Sequence, residues 1–198
     1  MMDPTNNDKA PGGVALLIID MINDLDFAGG KEMLPAVEAA AAAILQLRDE
    51  ATALGVPIVY VNDNYGQWHS ERSRIVEYCS RDESAARSLV KRIAPRHDDF
   101  FVIKPQFSGF YSTNLPVLLP TLGANRLVLT GVAADICVLF TAADAHMRDY
   151  DLWVPTDTVA SLDAQRTAWS LDIMARSMKA ETRPTTDLAL AEWVATST

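Results

Sequence analysis

The 198-residue chain is poor in cysteine: Cys79 and Cys137 are its only two, and they fit neither a disulfide framework nor the paired spacing of a zinc ribbon. That usage is typical of a reducing compartment. No stretch approaches the roughly 18 consecutive apolar residues of a membrane-spanning helix, and the polar segment Met1–Gly13 has no apolar core of a secretory signal. Basic residues are outnumbered, 17 against 26 acidic, which leaves a net charge of −9 and disfavours nucleic acid and anionic membranes as partners. Internal repeats and low-complexity tracts are also missing. The expectation is a cytoplasmic protein whose partner is a small molecule.

Hydrophobic residues make up 49% of the chain, enough for one well-buried α/β domain. That domain is expected over 14–198, after a flexible leader at 1–13 rich in Asn, Asp, Pro and Gly. Strands are expected at 14–19, 57–61, 99–103, 126–130 and 151–155, and helices at 34–54, 84–93, 111–121, 134–149 and 164–178. A short strand and a loose helix should follow within 179–198, and 62–98 is otherwise the longest irregular region. Near-continuous apolar strands separated by helices imply a mostly parallel sheet of roughly six strands covered on both faces, a three-layer α/β/α fold of Rossmann-like type.

Three residues that carry chemistry stand at predicted strand ends. Asp20 closes Val14–Ile19, Lys104 closes Phe100–Ile103, and Cys137 follows Arg126–Thr130 where the next helix opens. In a parallel sheet these ends share one edge, outside which ligands bind. A thiol near a helix start gains from the positive end of the helix dipole, which favours a thiolate. Taken singly, a core cysteine, a turn aspartate and a surface lysine would be ordinary. Together they can supply a nucleophile, a base and a stabilising cation.

The segments Ile19–Asp24, Lys104–Leu115 and Gly131–Val138 resemble the three signature blocks of the isochorismatase-like cysteine hydrolases. This superfamily includes nicotinamidases, N-carbamoylsarcosine amidases, ureidoacrylate and biuret hydrolases, and isochorismatases. The resemblance implies Cys137 as nucleophile, Asp20 as general base and Lys104 as the charge that lowers the thiol pKa. It also implies a cis peptide at Val132-Ala133 that turns the Ala133 N–H beside that of Cys137, the two forming an oxyanion hole. Members are usually homo-oligomers, so a dimer or tetramer is expected.

Departures from the family pattern bear on the substrate. Ile22 stands where many relatives carry Gln, and Ala134 where Thr is common. Nicotinamidases hold a divalent metal with an Asp-x-His pair and a further His; here Asp63 matches the Asp, Tyr65 replaces the His, and His69 with Asp63 falls short of three protein ligands. The resemblance therefore implies a metal-free enzyme, with no cofactor, that is not a nicotinamidase.

Ile22, Asn62, Asn64, Trp68, Phe110 and Val132 are candidate substrate-binding residues, with Gln67 as a further amide in the same loop. Phe110 can equally pack a helix on the sheet, and Trp68 can equally be a subunit contact or a local loop anchor. The expected activity is cleavage of a small amide, carbamoyl, ureido or lactam C–N bond through a Cys137 thioester. Two alternatives stand beside it: vinyl-ether hydrolysis of the isochorismatase kind, in which cysteine is dispensable, and an idle binding or scaffold role.

Overall fold

A computed structural model of the protein describes residues 9–66 and 71–196. Its centre is β1 (Val14–Ile19), flanked by β2 (Ile58–Asp63) and β4 (Arg126–Val132). Beyond these lie β3 (Phe100–Lys104) and β5 (Asp151–Trp153), giving the order β3-β2-β1-β4-β5, and the two-residue β6 (Val159–Ala160) pairs with the end of β4. Every paired strand runs parallel. The chain is a three-layer α/β/α fold with a six-stranded sheet.

β1 is apolar at all six positions because both of its faces are covered. Val14, Leu16 and Ile18 pack with Ile44 and Leu47 of α1 (Gly30–Leu54), Ile75 of α2 (Arg72–Cys79) and Val90 of α3 (Arg87–Ile93). Ala15, Leu17 and Ile19 pack the other way, with Leu115 and Leu119 of α4 (Leu115–Thr121), Ala142 of α5 (Leu139–His146) and Met174 of α6 (Ala164–Met178). A last helix, α7 (Leu190–Ala195), buries Leu190 on the α1 side.

Several boundaries differ from those read in the sequence. α1 begins at Gly30, behind Gly29 in a left-handed conformation with φ 85°. The polar stretch ahead of β1 is docked from residue 10 onward: the Ala10 N–H donates to Leu122 O, and Pro11–Gly13 form a 3-10 turn. The helix expected at 134–149 opens as a π-helical turn over Ala134–Val138, in which the Val138 N–H reaches back to Ala133 O. α2 lies in the region expected to be irregular; its sequence is polar, and Ile75 and Cys79, one turn apart, are the residues it buries.

β1 and β4 are neighbours although β2 follows β1 in sequence, so chain connections leave this point in opposite directions. A crevice results at their carboxyl ends. Gly131, with φ 110°, is needed there, because a Cβ at this position would lie 2.0 Å from Ile19 O.

Candidate active site

Asp20, the first residue past β1, turns the chain in a left-handed conformation with φ 51°, one that aspartate tolerates better than most residues. Its N–H donates to Val61 O, and its carboxylate is held from two sides. Oδ1 accepts the Asp63 N–H at 2.7 Å, and Oδ2 lies 2.8 Å from Lys104 Nζ. Lys104, the last residue of β3, reaches across the end of β2; its side chain is fully buried. Its ammonium also donates to Gln106 O at 3.2 Å and to Cys137 Sγ at 3.4 Å, and it lies 3.6 Å from Asp63 Oδ2. Cys137 sits inside the π turn after β4, and the Val132-Ala133 peptide before that turn is cis.

These groups perturb one another. Burial would lower Lys104, but the charge of Asp20, then Cys137 and Asp63, outweighs it and holds the ammonium above its usual value. Burial raises Asp20, more than Lys104 and its hydrogen bonds, one of them with Cys137, pull it down. Burial, then the Asp20 carboxylate, pushes the Cys137 thiol up to about 12 against the pull of Lys104. That direction runs against the thiolate expected from the helix dipole. Desolvation and a neighbouring carboxylate outweigh the cation, which favours a thiol beside a carboxylate of raised basicity.

A cavity of about 500 Å³ opens over this cluster. Asp20, Asp63, Val132, Ala133 and Cys137 line it, and most of its remaining wall is apolar, including Leu25, Phe27, Met33, Phe107, Ile136 and Leu162. Of the residues expected to bind substrate, Val132 lines the cavity. Ile22, Asn62, Asn64 and Phe110 do not.

The reasons are local. Asn62 is fully buried, and its amide clamps Ile22, accepting the Ile22 N–H at 3.1 Å and donating to Ile22 O at 3.0 Å. Asn64 closes a turn by accepting the Gly66 N–H at 2.8 Å. Ile22 is buried in the α1-side core. Phe110 is buried on the opposite side, against Tyr150 and under the Arg148 guanidinium. Gln67, Trp68 and His69 lie outside the described residues.

Of the residues weighed as metal ligands, Asp63 and Tyr65 are described, and both are engaged within the protein. Asp63 Oδ1 accepts the Tyr65 N–H at 2.7 Å, and the Tyr65 hydroxyl donates to Ile22 O at 2.6 Å. Among the described residues no three His, Cys, Asp or Glu side chains converge in a ligand set.

Sequence reading missed Phe27, Phe107, Asp135, Leu162 and Arg166 as cavity residues. Phe107 and Asp135 lie inside two of the signature blocks, so their positions were a usable signal. Leu162 and Arg166 follow β6, which is too short to show a strand pattern.

Comparison with known proteins shows the family and the fold. A family model described as the Isochorismatase domain matches residues 14–187. An uncharacterized isochorismatase family protein of Bacillus subtilis, YaaI, is 39% identical over 167 residues, covering 84% of this chain and 91% of that protein. Enterobactin synthase component B of Escherichia coli is 30% identical across 83% of this chain, which spans only 59% of that longer protein. Among solved structures, N-carbamoylsarcosine amidase of Thermoplasma acidophilum is similar with a TM-score of 0.67 and 27% identity, covering 89% of this chain and 98% of that one.

Proposed function

This chain belongs to the isochorismatase family, and from that premise we propose that it is a hydrolase cleaving a small amide, carbamoyl, ureido or lactam C–N bond through a thioester on Cys137. The observation that carries the proposal is the contact of one buried ammonium with both other groups: Lys104 Nζ is 2.8 Å from Asp20 Oδ2 and 3.4 Å from Cys137 Sγ, and Asp20 and Cys137 line a mostly apolar cavity. A structural neighbour whose name is that of a C–N hydrolase supports the reaction class.

In the proposed cycle Asp20 takes the thiol proton as Sγ attacks the substrate carbonyl carbon. Because the resting thiol is held up near 12, proton transfer accompanies attack rather than preceding it. The oxyanion is received by the Ala133 and Cys137 N–H groups. Asp20 returns the proton to the leaving nitrogen, the C–N bond breaks, and a thioester remains. Water deprotonated by Asp20 then attacks the thioester; the carboxylic acid departs and the thiol is restored. Lys104 keeps its charge throughout and stabilises the negative charge as it passes between oxygen and sulfur.

Partition by hydroxylamine tests the thioester. A panel of small amides, carbamoyl and ureido compounds is screened for ammonia or amine release, and the best substrate is turned over with added hydroxylamine. Diversion of the acyl group to a hydroxamate, with amine release undiminished, is expected of an acyl-enzyme whose hydrolysis follows C–N cleavage. Absence of hydroxamate at saturating nucleophile would contradict it. The vinyl-ether alternative is separated by assaying isochorismate with Cys137→Ala, which would turn over undiminished if that reading held.

A further inference from the structure

Resting on the reading of the cavity as a substrate site, we propose that the substrate is an amide whose apolar body ends in a carboxylate, and that Arg166 binds that carboxylate. Arg166, in the first turn of α6, lines the same cavity as Asp20 and Cys137, and its side chain is 54% exposed. Lys104, by contrast, is wholly buried and committed to Asp20. Among the described residues of the lining, Arg166 is the one solvent-accessible cation.

The guanidinium is held in place. Arg166 Nε pairs with Asp135 Oδ2 at 2.5 Å, and Asp135 is only 11% exposed. The other oxygen of Asp135 accepts the Ser161 hydroxyl at 2.6 Å, while Ser161 Oγ accepts the Asp135 N–H at 3.2 Å. Asp135 is thus fixed by its backbone and its side chain to a serine that is itself buried. With the Nε side engaged, the two terminal nitrogens offer a planar pair of donors that matches a carboxylate bidentately, which an ammonium cannot do.

The rest of the lining sets the orientation. Asp20 and Asp63 gather about Lys104 at the sheet edge, so a second carboxylate is repelled there. Leu25, Phe27, Phe107, Ile136 and Leu162 supply apolar wall for the body of the molecule. The reactive amide goes to the base and the acid to Arg166. Asp135 and Ser161 act as positioning residues.

The test measures binding without turnover. Succinamate, glutaramate and adipamate, each paired with its uncharged diamide, are titrated calorimetrically into full-length Cys137→Ala protein and into the same protein carrying Arg166→Gln or Arg166→Lys. Because Arg166 is half exposed, a modest effect is expected: at least one acid binding roughly 5–10-fold tighter than its diamide. The preference should vanish in Arg166→Gln, be partly kept in Arg166→Lys and weaken with added salt. It would run against the net charge of −9, which repels anions non-specifically. Equal binding of all acid and diamide pairs, or a preference that survives Arg166→Gln, would overturn the proposal. Both variants should match the parent in melting temperature, which guards against a fold defect. The measurement does not depend on the cysteine, so a failed thioester reading and a failed carboxylate site give different results.

Discussion

Replacing Lys104 by methionine keeps most of the side-chain stem in the core and deletes the charge. In the native protein the ammonium is fully buried, 2.8 Å from a carboxylate that is itself only 6% exposed. At that separation the pair attraction is about 6 kcal/mol at an effective dielectric of about 20, before the desolvation of both ions is subtracted. Without the cation Asp20 keeps its desolvation and loses its counter-charge, a situation that costs about 3–5 kcal/mol. The carboxyl group escapes part of this cost by taking up a proton.

A folded-state pKa raised above the unfolded value of about 3.9 means that the folded variant binds the proton more tightly, so its stability falls as pH rises through that window. The deficit of Lys104→Met relative to the native protein should therefore be small near pH 4. It should grow as pH rises and level off once Asp20 is ionised in both states. Urea unfolding at several pH values from 4 to 8 measures it. The double variant Asp20→Asn/Lys104→Met, which removes both charges, should recover most of the loss at pH 8. A deficit under about 1 kcal/mol at pH 8, no dependence on pH, or a double variant no more stable than the single one would refute the reasoning.

Other perturbations have outcomes as definite. Iodoacetamide labelling of Cys137, read by peptide mass spectrometry, should show no inflection near the free-thiol value of about 8.5, because burial and Asp20 hold the thiol at about 12; a titration below 8 would mean that the cation dominates instead. Cys79, buried and pushed up to about 12 by desolvation and Asp24, should be labelled only on unfolding. The kcat/KM profile of the best substrate should lose activity toward acid at a pH above the ordinary aspartate value of 3.8, since Asp20 is raised, and stay level into the alkaline range. Asn62→Ala removes both of its hydrogen bonds to Ile22 and leaves the buried Ile22 N–H unpaired, while Ile22 O keeps the Tyr65 hydroxyl; it should cost about 1–3 kcal/mol in urea unfolding, and should lower kcat more than it raises KM by loosening the turn that carries Asp20.

The sheet and the three charged or nucleophilic residues were legible because both rest on long-range regularities. Continuous apolar strands such as Val14–Ile19 mark a sheet buried on both faces, and strand ends in such a sheet converge wherever the intervening chain goes. α6 matched its expected span, 164–178, because Asp163 caps it by accepting the Gln165 N–H and its sequence is strongly two-faced. α2 was not legible, since only Ile75 and Cys79 of its residues are buried, too few for a periodic signal.

Asn62 was misread as a substrate residue for a reason that a strand pattern contains. Side chains alternate along β2, so with Asp63 lining the cavity Asn62 turns away from it, while Asn64, one residue past the strand, is spent on the Gly66 N–H. Phe110 lies in a signature block yet points into the core beside Tyr150, and proximity in sequence says nothing about side-chain direction. The upward push on the Cys137 thiol was not legible, because depth of burial is a property of packing and not of the order of residues.

The central claim is that Cys137 is the nucleophile, and the most direct test is the initial rate of the best C–N substrate with the native protein and with Cys137→Ala, whose folding is checked by its melting temperature. Loss of turnover by about a thousandfold or more is expected if a thioester is on the path. Turnover within tenfold of the native rate would contradict it and leave Asp20 and Lys104 as the groups to explain the chemistry.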